Sequence, residues 1–236
     1  MKYVIRFQKA GVICYTSHLD IMKVFKRSFK RAGIRLAYSQ GFNPHPKMGF
    51  AQPLSLGYES LDEYIEFETA EATGAADAGC TFSAAEILEK MRALMPEGLE
   101  LLSIEEATHP KTLAANTVSA EYRIEIPVKE GERERVSKDA RELWQDYMGQ
   151  AEILTFKKQK KKKDLVQVDI RPKIRELIFY PMEEELRIDA TLDSGSDSNL
   201  SPELVITTVL ERFGLTTPRS EIAVTRTKIH FKEHLT

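Results

Sequence analysis

An asparagine, a histidine and a lysine stand at alternate positions 43, 45 and 47 of the stretch "YSQGFNPHPKMGFAQPLSLG". Asn43 can donate and accept hydrogen bonds, a histidine exchanges its proton near neutral pH, and Lys47 offers a point charge to a phosphate. Pro44 and Pro46 fix φ and remove backbone donors, so His45 is displayed on a stiff extended chain. Gly41 and Gly49 permit positive φ or close approach of another chain, and Phe42 and Phe50 either anchor the loop in a core or stack on a base. Such a loop arrives at a ligand already ordered, which lowers the entropy lost on binding.

Two basic stretches accompany it. Between Ser17 and Lys47 lie seven bases, Lys23, Lys26, Arg27, Lys30, Arg31, Arg35 and Lys47, against the single acid Asp20. At 100° per residue, Lys23, Lys26, Arg27, Lys30 and Arg31 gather opposite the apolar side of a helix, a stripe suited to tracking phosphates. Farther on, "KKQKKKKD" carries six lysines in seven residues, with Lys160, Lys161, Lys162 and Lys163 consecutive. Like charges at that density repel unless a polyanion sits nearby, and lysines read backbone charge rather than sequence. "VDIRP" sets Asp169 and Arg171 two apart on one strand face, where they pair or flank a site.

Several chemistries are excluded. There is no glycine-rich nucleotide loop, no H-E-x-x-H and no Cys-x-x-Cys. His18, His45, His109, His230 and His234 lack metal-ligand spacing, so neither a metal nor another cofactor is expected. His18 falls in the first turn of the basic helix and reads as a packed histidine. Cys14 and Cys80 read as small buried side chains in a reducing, cytoplasmic setting. No apolar run approaches the about 20 residues of a membrane span, and the start "MKYVIRFQKAG" reads as a strand rather than a signal peptide.

The elements that must position these groups follow from periodicity and caps. Lys2 to Lys9 reads as a strand. A helix runs from an N-cap at Ser17 to a stop at Gly33, and Leu36 to Ser39 reads as a short strand. "DEYIEFETA" is a strand, "SAAEILEKMRALMPEG" a helix with a Ser83–Glu86 capping box, and "LELLSIEEA" a strand. After "THPKTLAANT" the order returns: strand "AEYRIEIPV", helix "ERERVSKDARELWQDYMG", a hairpin region from "AEILTFKKQ" to "ELRIDATLD", a helix capped by Ser201 and Pro202, and strand "SEIAVTRTKIHF". This predicts an α+β chain of two tandem ferredoxin-like (βαββαβ) units with antiparallel sheets, over residues 1–110 and 118–236. One α+β domain with a larger mixed sheet is the alternative.

The stretch "SHLDIMKVFKRSFKRAGIRLAYSQGFNPHPKMGFAQPLSLGYES" resembles the radical-SAM-linked protein family, a domain of unknown function. That domain stands alone in bacteria or forms the C-terminal part of cobalamin-binding radical SAM proteins. Ser17-His18-Leu19-Asp20 and Gly41 to Lys47 look like its two signature stretches. The resemblance implies a radical SAM partner and supplies no catalytic residue. The tandem plan is also similar to pseudouridine synthases of the tRNA-anticodon-arm type and to CRISPR repeat-processing endonucleases, although the comparable loop here carries Asn43 and His45 and no aspartate.

Together these readings predict an RNA-binding accessory protein for tRNA or rRNA modification. Phosphate contacts would fall to Lys23, Lys26, Arg27, Lys30, Arg31, Lys47, Lys160 to Lys163 and Arg171, and selective contacts to Asn43 and His45. The alternatives are an enzyme acting on RNA, with His45 or His18 as acid or base, and a protein-interaction module docking on the radical SAM partner.

Overall fold

The computed structural model describes residues 1–70, 82–158 and 164–232. The architecture is mixed α+β with mostly antiparallel strands. Among the described residues no helix is long and apolar enough to cross a membrane. The chain divides into two compact units, Met1–Val118 with Lys228–Thr236, and Ser119–Thr227.

In the first unit, strand β1 (Lys2–Lys9) alternates Tyr3, Ile5 and Phe7 into the core. Helix α1 (His18–Arg31) covers that face with Ile21, Phe25 and Phe29, the apolar side that its 3.6-residue period dictates. Strand β2 (Met48–Phe50), strand β3 (Glu59–Glu68), helix α2 (Ala84–Arg92) and strand β4 (Leu99–Glu106) follow, with a short helix α3 (Leu113–Asn116) after them. β1 pairs antiparallel with both β3 and β4, and β2 pairs antiparallel with β3. Buried Asp62 on β3 accepts from Arg6 Nε at 2.6 Å and from the Ile229 N–H at 2.8 Å. The Lys232 N–H donates to the Asn116 carbonyl at 2.8 Å, so the chain beyond Lys228 belongs with this unit.

The capping expectations hold in this unit. Ser17 Oγ accepts from the Asp20 N–H, Ser83 and Glu86 form the reciprocal capping box, and Gly33 ends α1 at φ 75°. Lys9 is buried and donates to the Cys14 and Thr16 carbonyls at 3.1 and 3.0 Å. Those bonds fix the turn that launches α1. Cys14 is buried, and Cys80 lies outside the described residues. The strand predicted over Leu36–Ser39 is reduced to single bridges, Leu36 to Thr69 and Tyr38 to Pro46. The prolines that follow remove the donors a longer ladder needs, and regular pairing resumes at β2.

The second unit takes most of strand β5 (Thr117–Pro127), helices α4 (Arg133–Val136) and α5 (Ala140–Met148), and strands β6 (Leu154–Lys158), β7 (Leu165–Asp169), β8 (Ile174–Pro181) and β9 (Glu185–Asp193). Helix α6 (Pro202–Phe213) and most of strand β10 (Ala223–Phe231) complete it. Its strands run in the order β10-β5-β9-β8, and β6 and β7 pair only with each other. Tyr147, Phe179 and Phe213 meet ring to ring in its core. The single helix predicted across 132–149 is broken before Asp139, whose carboxylate accepts from the Arg141 and Glu142 N–H groups and starts a new helix. The one hairpin region predicted here is two hairpins, β6–β7 and β8–β9.

Candidate nucleic-acid interface

The Pro-His-Pro loop is a small closed hairpin. The Ala37 N–H donates to the Glu68 carbonyl at 2.8 Å, the Lys47 N–H to the Ala37 carbonyl at 2.8 Å, and the Glu68 N–H to the Lys47 carbonyl at 3.0 Å. At the neck the Ser39 N–H donates to the His45 carbonyl at 2.9 Å, and the His45 N–H returns to Ser39 Oγ at 3.0 Å. Residues 40–45 form the exposed tip. Gly41 sits at φ 135°, a backbone that other side chains rarely adopt. Among the described residues the imidazole of His45 has no hydrogen-bond partner. Phe42, at 109% relative exposure, packs on nothing, whereas Phe50 anchors the loop's other end in the core. His18 is half-buried with its ring edge-on to Phe50, centroids 5.0 Å apart.

The basic helix face is less uniform than its sequence suggests. Asp20 binds Ser17 Oγ at 2.7 Å and Lys23 Nζ at 2.9 Å, and those contacts, Ser17 first, hold its carboxyl below the usual range. Lys23 therefore spends its charge on a carboxylate one turn earlier, a pairing that i,i+3 spacing allows. Lys26, Arg27, Lys30 and Arg31 are exposed and make no ion pair among the described residues. Phe29 packs on Phe67 with ring centroids 4.5 Å apart and planes tilted by 45°, and Phe67 faces Met48 across the β2–β3 ladder. The C-terminal half of α1 and the root of the loop thus share one end of the first unit's sheet.

Lys47 joins Glu68 at 2.6 Å and Lys2 joins Glu66 at 2.8 Å, both lining a cleft of about 380 Å³ with Met48, Gly49 and Thr112. With each cation matched to an acid, the cleft is no anion trap. Exposed pairs of this kind contribute about 0–1 kcal/mol, so Lys47 can exchange Glu68 for a phosphate at small cost.

The remaining predicted contacts stand elsewhere. Arg171, in the second unit, donates through Nε and Nη2 to the Met148 carbonyl at 3.2 and 3.0 Å, so its guanidinium is engaged in the fold. Asp169 does not pair with the Arg171 guanidinium; its Oδ1 accepts from the backbone N–H groups of Ile153 and Arg171 at 2.9 and 3.0 Å. Lys160, Lys161, Lys162 and Lys163 lie outside the described residues. Among the described residues no group of three His, Cys, Asp or Glu side chains is arranged to hold a metal ion. The exposed Phe42 is the feature sequence reasoning left undecided. Its signal was a phenylalanine between Gly41 and Asn43 with no apolar neighbour.

The first unit thus combines a closed, exposed loop with a helix whose solvent face carries cations. The chain belongs to the family described as "Uncharacterized protein conserved in bacteria (DUF2344)", whose model matches residues 2–202. No curated protein matches it. Among solved structures it is similar to a chain of the "Crystal Structure of a Cbf5-Nop10-Gar1 Complex", at 12% identity and a TM-score of 0.50. That match covers 98% of this chain and 50% of the other, so the chain spans about half the length of that relative, and the likeness is one of fold. It also matches the "Crystal Structure of an Unknown Protein from Galdieria sulphuraria", at 14% identity over 95% of this chain and 97% of that one, with a TM-score of 0.27.

Proposed function

We propose that this chain is a cytoplasmic RNA-binding accessory protein, built of two ferredoxin-like units, that works with a radical SAM enzyme in tRNA or rRNA modification. The strand orders support the architecture: β4-β1-β3-β2 around α1 and α2, and β10-β5-β9-β8 around α5 and α6, each follow the βαββαβ plan. The observation that carries the RNA reading is that Lys26, Arg27, Lys30 and Arg31 are exposed with no ion pair among the described residues, in a unit whose closed loop tip exposes Phe42, Asn43 and His45. Phosphates would lie along the helix, and unpaired bases would meet the tip by stacking on Phe42 and by hydrogen bonds to Asn43 and His45. Lys160 to Lys163 would add salt-dependent affinity. The radical SAM partner rests on the resemblance of the stretch from Ser17 to Ser60.

Filter binding of tRNA and rRNA fragments across a salt series tests the reading. Wild-type protein should bind at 50 mM salt with a steep negative slope of log K on log [salt]. Lys30→Glu with Arg31→Glu should weaken binding at least tenfold and flatten the slope by about 2, near one per phosphate contact. No binding at 50 mM salt, or binding without a slope, removes it.

A further inference from the structure

The ribbon β6–β7 is a second projection that the helix face and loop do not use. Among the described residues its strands pair only with each other, and register sets Leu154 opposite Asp169, Phe156 opposite Gln167 and Lys158 opposite Leu165. Directly opposed residues share a face, so Leu154, Phe156 and Leu165 form one stripe. Their relative exposures are 45, 61 and 63%. The opposite face begins at Thr155, which is buried at 5%. A two-stranded ribbon is marginal alone in water, and here it keeps large apolar side chains in solvent.

Its root, by contrast, is fastened. Ile153 and Ile170 are buried, and the Ile170 N–H donates to the Ile153 carbonyl at 2.9 Å. Asp169 Oδ1 ties the Ile153 and Arg171 N–H groups, and the Arg171 guanidinium grips the end of α5 at Met148. The "VDIRP" segment is therefore a clamp that sets the direction of the ribbon. Lys157 is exposed, and in the sequence six of the seven residues from Lys157, inside β6, to Lys163 are lysines.

Resting on the RNA reading above, we propose that the β6–β7 ribbon is a rooted arm for single-stranded RNA, with Phe156 stacking on an unpaired base, Leu154 and Leu165 packing beside it, and exposed Lys157, on the other face of the ribbon, adding attraction for the strand's negative charge. An exposed aromatic ring flanked by two leucines, in a lysine-rich stretch of sequence, complements a chain that alternates π-faces with negative charge. A-form duplex RNA keeps those faces stacked inside, so the arm discriminates for unpaired strands.

The test is fluorescence anisotropy with a labelled 12-nucleotide single-stranded RNA and a 12-base-pair RNA duplex, using the full chain. Phe156→Ala should weaken single-strand binding about tenfold, the size of one lost base–aromatic stack, with the salt slope and duplex binding unchanged. Lys157→Glu should flatten the single-strand slope by about 1. A 4-thiouridine-substituted strand should crosslink to the peptide containing Phe156, a readout independent of any variant's folding. Wild-type affinity in Phe156→Ala with no crosslink there overturns the arm. So does Phe156-dependent sedimentation with vesicles of equal phosphatidylcholine and phosphatidylglycerol in place of RNA binding. If Lys30→Glu/Arg31→Glu weakens structured-RNA binding while Phe156→Ala changes nothing, only the arm falls. If wild-type protein binds neither RNA, the parent reading falls with it.

Discussion

Two hairpins of this chain, one in each unit, are held by different means. The Asn43–Lys47 tip is held by its own covalent structure: Pro44 and Pro46 restrict the backbone, and the Ser39–His45 neck closes the loop locally. The β6–β7 ribbon has no proline between its strands and depends on a clamp assembled from Ile153, Asp169, Arg171 and the end of α5. A φ restriction also acts in the unfolded chain, whereas the clamp exists only once the second unit has folded. The tip should keep its shape under conditions that release the ribbon.

That contrast can be broken at the clamp first. Asp169→Ala leaves the Ile153 and Arg171 N–H groups without their shared acceptor, at about 1–3 kcal/mol for a lost partner of this kind. Amide exchange across β6–β7 should quicken by about 30-fold, with exchange at Ala37 and Lys47 unchanged. Equal acceleration at both hairpins would show that they are not independent.

A second, smaller effect should come from pH. Tyr147 precedes the Met148 carbonyl that holds Arg171, and burial pushes its phenol up to about 12, the hydroxyl contact with Thr208 Oγ1 at 2.7 Å working the other way. Because the folded state keeps this proton more tightly than the unfolded chain, its contribution is intact below about pH 10 and is lost as pH rises through about 12. That contribution is about 2 kcal/mol. Urea unfolding followed by Trp144, the chain's single tryptophan and part of α5, should show wild type losing that much more than Tyr147→Phe between pH 9 and pH 12. Thr208 keeps the Leu204 and Val205 carbonyls as acceptors, so the variant leaves no orphaned hydroxyl.

The smallest effect concerns the tip. Pro44→Gly with Pro46→Gly should lower RNA affinity about two- to fivefold, through ordering entropy of about 0.4–1 kcal/mol. The melting temperature should fall by about 2–4 °C, since the two prolines also restrict the unfolded chain. Unchanged affinity would mean that the tip's stiffness serves something other than this ligand.

Much of the frame was legible in the chain. Ser17, Ser83 and Ser201 each cap the helix expected of them, Gly33 and Gly214 end two of those helices at positive φ, and Phe25 and Phe29 enter the core their spacing assigns. These are local or periodic effects, decided within a few residues. The candidate site was legible only in part. Four cations of the helix stripe make no ion pair among the described residues, but Lys23 is matched by Asp20 and Lys47 by Glu68, a strand residue 21 positions away. Arg171, grouped with the lysines by charge, is spent on a carbonyl 23 positions earlier.

By itself, then, the sequence determined where α1, α2 and α6 begin, which faces of α1 and β1 are apolar, and that residues 43–47 are restricted in φ, because caps, periods and proline rings act at short range. Only the tertiary structure decided which charges remain available and that "VDIRP" fastens a ribbon. Those outcomes depend on which distant carboxylate or carbonyl the fold brings within about 3 Å, and nothing in a residue's immediate neighbours encodes that distance.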